Sequence, residues 1–125
     1  MGQLDNGSWM YPEDAVTSDN GRNVLKIEDD GRMCIYWDGE QVWGNTDEGR
    51  DDIKGLVLQD DGNLVLYTHD EEATWASNTE EHGDEVYLRV QDDGNVVLYK
   101  GEDDDAEAVW ASNTMQAPEE EEEEE

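Results

Sequence analysis

Residues 55–67 read GLVLQDDGNLVLY, and the same frame returns at 87–99 as YLRVQDDGNVVLY and at 24–36 as VLKIEDDGRMCIY. Asp-Asp-Gly sits at one offset in every copy, starting at Asp29, Asp60 and Asp92, 31 and 32 residues apart. A tryptophan follows each copy and opens a polar run: Trp43-Gly-Asn-Thr, Trp75-Ala-Ser-Asn-Thr and Trp110-Ala-Ser-Asn-Thr. Self-similarity at a fixed period marks one supersecondary unit used three times. The units occupy about residues 15–46, 47–79 and 80–114, and 125 residues is the size of one folding domain. Residues 1–114 are expected to form it, with 115–125 a disordered polyglutamate tail whose like charges repel.

Inside a unit, apolar residues alternate over short runs of Leu, Val, Ile and Tyr, the period-two signal of half-buried strands. The Asp-Gly step between two runs predicts a hairpin, since glycine accepts the positive φ of a tight reversal. An odd loop centred on Gly62 places Gln59 opposite Val65 and Val57 opposite Tyr67. Leu56, Leu58, Leu64 and Leu66 then share the other face and form the core. By the same arithmetic unit three buries Leu88, Val90, Val96 and Leu98 and presents Arg89, Gln91, Val97 and Tyr99 to solvent. Unit one buries Leu25, Ile27, Met33 and Ile35 and presents Lys26, Glu28, Cys34 and Tyr36. Trp43, Trp75 and Trp110 recur once per unit and are large enough to fill a shared three-fold core.

Seven Lys and Arg face 36 Asp and Glu, a net charge of −29, of which the terminal glutamate run supplies seven. The acidity belongs to the whole chain. A field of that sign repels phosphate backbones and anionic lipid surfaces, which argues against nucleic-acid and peripheral membrane binding. No apolar stretch reaches the roughly 20 residues of a membrane span, and the first residues lack a signal-peptide pattern, so a soluble protein is expected. Five Trp, five Tyr and the aliphatic clusters favour a folded domain over a disordered acidic chain. An acidic skin with three lysines suits molar salt, where the Debye length is about 3 Å, and equally suits a surface made for solubility. One cysteine can close no internal disulfide and supplies no metal cluster. His69 and His82 stand in acidic loops without spaced partners. The loop at 103–105 lacks the twelve-residue calcium pattern with its closing Glu. No nucleophile, base and orienting group recur together, so neither an enzyme nor a cofactor or metal site is expected.

The outward residues of unit two are Gln59, Asp61, Asn63, Val65 and Tyr67. On a straight strand Gln59 and Tyr67 would lie about 26 Å apart at roughly 3.3 Å per residue; the hairpin brings them together. The result is a carboxylate, two amides and a phenol around one aliphatic contact, which complements the vicinal hydroxyls and C–H edge of a pyranose. The motif Gln-x-Asp-x-Asn-x-Val-x-Tyr stands intact at Gln59 to Tyr67 and again at Gln91, Asp93, Asn95, Val97 and Tyr99. It resembles the mannose-recognition motif of the bulb-type mannose-binding lectins (B-lectin domains). The likeness extends through the tandem repeat, the Trp-Ala-Ser-Asn-Thr endings and the opening Asp19-Asn-Gly-Arg22, over about residues 4–114.

The resemblance implies an all-β, β-prism II fold: three four-stranded antiparallel sheets around a pseudo-three-fold axis, with tryptophan at the centre. It implies that Asp and Asn hydrogen-bond the axial 2-hydroxyl of mannose, Gln the 3-hydroxyl and Tyr the 4-hydroxyl, while Val packs on the ring carbons. The partner expected is a mannose-containing glycan. Unit one departs from the pattern, with Glu28 for Gln, Arg32 for Asn and Cys34 for Val beside the retained Asp30 and Tyr36. Arg32 is expected to pair with Asp30 and occupy the carboxylate a sugar needs, and Cys34 to act as a small apolar substitute. Plant members of the family also carry an internal disulfide, which one cysteine cannot make. They often form homodimers by exchanging a C-terminal strand, which here runs into like-charged glutamates. Asp-Asp-Gly-Asn makes a good turn with or without a ligand. A β-prism scaffold or protein-interaction module without sugar binding, and the targeting module of a lectin-like toxin, therefore stand as alternatives to a lectin.

Overall fold

The computed structural model describes residues 2–46, 48–101 and 105–116. Among them, three four-stranded antiparallel sheets form, the expected β-prism II arrangement. The first contains β3 (Ala15–Thr17), β4 (Asn23–Ile27), β5 (Met33–Trp37) and β6 (Glu40–Gly44), in that order. The second runs β2 (Trp9–Met10), β7 (Ile53–Leu58), β8 (Leu64–Thr68), β9 (Ala73–Ala76); the third β1 (Gln3–Leu4), β10 (Val86–Val90), β11 (Val96–Lys100), β12 (Glu107–Ala111). Asp103 and Asp104 of the loop considered for calcium, and residues 117–125 of the expected tail, lie outside the described residues. Gln116, within that tail, is tied to unit three: its N–H donates to the Asp93 carbonyl at 2.7 Å. No helix among the described residues is long and apolar enough to cross a membrane.

Each sheet takes three consecutive strands from one repeat and a fourth from residues 3–17. Gln3 pairs with Arg89, Trp9 with Val57 and Ala15 with Lys26. Strands of two or three residues carry no periodic signal, so the sequence placed only the third of them inside a repeat.

The central hairpins have the predicted faces but a different register. Gln59 N–H donates to the Asn63 carbonyl at 2.8 Å, closing a five-residue reversal centred on Asp61 rather than Gly62. Val57 therefore lies opposite Val65, and Gly55, not Val57, opposite Tyr67. Moving the centre by one residue moves each partner by two, which leaves the faces unchanged. Leu56, Leu58, Leu64 and Leu66 are fully buried, as are Leu88, Leu98, Leu25, Ile27, Met33 and Ile35. Each such aliphatic side chain contributes about 1.5–3 kcal/mol of transfer free energy.

Two placements need correction. Val65, Val97 and Cys34, read as solvent-facing, are 2%, 3% and 0% exposed. On a four-stranded sheet a central residue has neighbours on both sides, here Val57 and Ala76 around Val65, and the reach of Gln59 to Tyr67 covers it further. The three tryptophans meet edge to face, with centroids 5.5–6.4 Å apart and planes at 78–82°, a geometry the ring quadrupoles favour. They pack against the aliphatic core yet are only partly buried, because they stand on the edge strands β6, β9 and β12.

Gly62 adopts φ +95° beneath the following chain: a Cβ there would meet the Gly83 nitrogen at 2.8 Å. Gly62→Ala is expected to cost about 1–3 kcal/mol, read as a lower urea midpoint; a midpoint equal to wild type would refute the constraint. The paired aspartates 29 and 30, 60 and 61, and 92 and 93 are all exposed at the three reversals. Added KCl should accordingly raise the unfolding midpoint by screening their repulsion. A midpoint that is flat or falls with salt would sink that account.

Candidate functional site

The reversal that closes each hairpin also places the polar side chains. In unit two the Asp61 carboxylate accepts the Asn63 N–H at 2.9 Å, a short side-chain turn that fixes the two residues relative to one another. The Asn63 Oδ1 faces the protein, where it accepts from the Ser77 hydroxyl at 3.1 Å and the N–H groups of Asn78 and Thr79 at 2.9 and 3.2 Å. The Thr79 hydroxyl bonds the Gly62 carbonyl at 2.6 Å, so the Trp-Ala-Ser-Asn-Thr ending is laced to the loop before it. Gln59 Nε2 donates to the Tyr67 hydroxyl at 2.7 Å above buried Val65. Five residues spread over nine positions thus converge on one hairpin end.

Unit three repeats the arrangement. The Asp93 carboxylate accepts Asn95 N–H at 2.9 Å, and Asn95 Oδ1 accepts Ser112 Oγ and Thr114 N–H, each at 3.2 Å. Thr114 Oγ1 bonds the Gly94 carbonyl at 2.6 Å, and Val97 lies beneath. Hydrogen bonding between amide and phenol runs the other way: Tyr99 donates to Gln91 Oε1 at 2.5 Å, and Gln91 Nε2 reaches both oxygens of Asp93 at 3.2 Å. Both sites leave one Asp carboxylate, one Asn amide nitrogen and one Gln–Tyr pair at the surface.

Unit one gathers its five positions as well, and closes them on themselves. Arg32 Nε pairs with Asp30 at 3.0 Å, the ion pair expected from their spacing. The hydrogen bond to Asp30 holds the Arg32 guanidinium above its usual range. The Tyr36 hydroxyl donates to Glu28, which pushes the phenol well above its ordinary value, and Lys26 Nζ lies 3.8 Å from the same carboxylate. Cys34 fills the valine position, and burial pushes its thiol up. Asn45 stands in for the serine of the other endings, accepting Met33 N–H at 2.9 Å.

Sequence reasoning missed Ser77, Thr79, Ser112 and Thr114 as the groups that orient the two asparagines, although their recurrence after each tryptophan was the signal. It also missed Trp9. A cavity of about 210 Å³ opens beside Tyr67, between Trp9, Lys54 and Glu71. A wider depression of about 480 Å³ at Gly31, Asn45 and Arg50 holds no intact-motif residue. Among the described residues no three His, Cys, Asp or Glu side chains come together as a metal site.

A family model described as D-mannose binding lectin matches residues 42–119. The fold is similar to monomeric monocot mannose-binding lectins from Gastrodia elata, at 28% identity and a TM-score of 0.81, covering 94% of this chain and 100% of that one. It is similar to the mannose-specific agglutinin of snowdrop (Galanthus nivalis) bulbs complexed with methyl-α-D-mannoside, at 26% identity and a TM-score of 0.68, over 94% and 100%. Curculin-2 of Molineria latifolia is 31% identical over 64 residues, 51% of this chain, and the match spans 39% of that relative's length.

Buried and held protonated, Cys34 should resist Ellman's reagent at mildly alkaline pH in the folded protein and react fully after denaturation. Native-state labelling as fast as free cysteine would show that unit one is open.

Proposed function

The chain belongs to the D-mannose binding lectin family, and from that premise we propose that it binds α-mannose residues of glycans reversibly and without a metal, at Gln59–Tyr67 and Gln91–Tyr99. The observation that carries the reading is the fate of the two asparagine oxygens. With Oδ1 of Asn63 and Asn95 consumed by Ser and Thr partners, Nδ2 is the group left to donate, beside a carboxylate that only accepts. An axial hydroxyl, donor and acceptor at once, satisfies both. The Gln–Tyr pair serves the next two hydroxyls, and the valine beneath meets the C–H edge. Nothing in this set performs a reaction; it holds and releases a sugar.

Each site is weak alone, because sugar hydrogen bonds replace water hydrogen bonds at little net gain. Two sites on one chain engaging a branched glycan together raise the apparent affinity through effective concentration. The unit-one site is silent in this reading, since the Arg32–Asp30 pair occupies the carboxylate and Glu28 occupies the phenol. β12 pairs with β11 of its own chain, so the sites need no second copy to be complete.

Calorimetry with methyl-α-mannoside, at low and at molar salt, should give two sites per chain. Asp61→Ala or Asp93→Ala should each remove one, and the double variant should remove all heat. Wild type giving no heat at either salt would favour the sugar-blind scaffold. Glu28→Gln with Arg32→Asn and Cys34→Val should raise the stoichiometry to three. A well-folded triple variant that stays at two would show that the ion pair is not what silences unit one.

A further inference from the structure

The two intact sites are not equivalent at their rims. Opposite Tyr99 stands Tyr87, whose ring stacks on it at 5.8 Å. Opposite Tyr67 stands Gly55, which has no side chain. A Cβ on Gly55 would lie 2.5 Å from the Met10 carbonyl and 3.2–3.3 Å from the rings of Tyr11 and Trp9. The N-terminal strand has moved its aromatics into that space. Trp9 and Tyr11 stack in parallel at 5.8 Å with planes 3° apart, and Trp9 lies 6.4 Å from the Tyr67 ring. The residue paired like Trp9 is Gln3 in the third sheet and Ala15 in the first, so the platform is peculiar to unit two.

A backbone irregularity completes it. Between Ile53, opposite Thr68, and Gly55, opposite Tyr67, Lys54 is an extra residue in the ladder. The corresponding pairs in units one and three run without interruption. Without this bulge, period two would aim residue 54 at the core along with Leu56 and Leu58; with it, Ile53 takes the buried place and Lys54 is turned outward. Its ammonium stands 4.7 Å over the Trp9 ring. The half-open cavity has an indole and a phenol as apolar walls, a carboxylate acceptor at Glu71 and a cationic donor on the four-carbon stem of Lys54. Tyr67 is common to this cavity and to the proposed mannose site.

We propose that this cavity is a second saccharide subsite, so that unit two binds two adjacent pyranoses of a glycan where unit three binds one. The inference rests on the mannose reading of Gln59–Tyr67. The second pyranose displaces the Lys54 ammonium from over the Trp9 ring, lays its C–H face against Trp9 and Tyr67, and directs hydroxyls to Glu71 and the displaced Lys54. In unit three Tyr87 stacks on Tyr99, and the neighbouring depression of about 310 Å³ is lined by Gln3, Asp5, Asn6 and Tyr87, with no indole to serve as a platform.

The test uses Asp93→Ala protein, in which only unit two reports. Methyl-α-mannoside and a set of methyl α-mannobiosides of different linkage are titrated by calorimetry. At least one mannobioside should bind about two- to tenfold tighter than the monosaccharide, the range expected of one aromatic contact. Adding Trp9→Ala should bring that ratio to about one. Saturation-transfer NMR on the Asp93→Ala protein, with Trp9 intact, should show both sugar rings receiving magnetisation, and needs no change at the platform. Monosaccharide binding with no mannobioside preferred and only one ring saturated would overturn the subsite while leaving the mannose reading standing. No binding of any of these sugars, by the Asp93→Ala protein or by wild type, would overturn both.

Discussion

One hydrogen-bond acceptor organises each of the second and third units: the side-chain oxygen of Asn63, and of Asn95 in its counterpart. It takes donors from the end of the next edge strand and so locks a hairpin tip to the segment that follows it. The aliphatic interior does not do this alone. Leu56, Leu58, Leu64 and Leu66 are near-identical knobs, and a slip of two residues would still bury leucine against leucine. The reversal, with its left-handed glycine under the following chain, makes one register cheaper than its neighbours. The lock also turns the asparagine amide nitrogen and the adjoining carboxylate to the outside. Fold specificity and the proposed ligand chemistry rest on the same few bonds.

The faces of the strands were legible because parity survives any odd loop. The pairing was not, since centres at Asp61 and Gly62 predict identical faces and differ only in which residue confronts Tyr67. That difference mattered, because it is Gly55 that lets Trp9 and Tyr11 pack close beside Tyr67. The Arg32–Asp30 pair was legible from a two-residue spacing on one loop. The burial of Val65, Val97 and Cys34 was not, since alternation says which face a side chain takes and nothing about the strands flanking it. Trp9 lies in a two-residue strand outside the repeats, where no period announces a role.

Comparing the three units separates what the architecture demands from what each surface adds. Inward positions stay aliphatic, and the edge-strand tryptophans meet in one triad. Outward positions diverge: the first unit is closed by internal ion pairs and hydrogen bonds, the third is plain, and the second is widened by a glycine, a bulge and borrowed aromatics. Substitution of the solvent-exposed residues of the outer face costs little stability, which leaves them open to change, whereas Val65, Val97 and Cys34 on the same face are buried and do not share that freedom.

The segment at 3–17 leaves the ribosome before any strand it will pair with, yet Gln3 finds its place beside Arg89. Until the last repeat has been synthesised, β1 has no partner and its backbone edge stays unpaired. Closure of such distant pairs is slow, because the chain entropy is lost before the contact is gained. During that interval the abundance of carboxylates acts as a guard, keeping nascent chains from adding to one another's open ribbons.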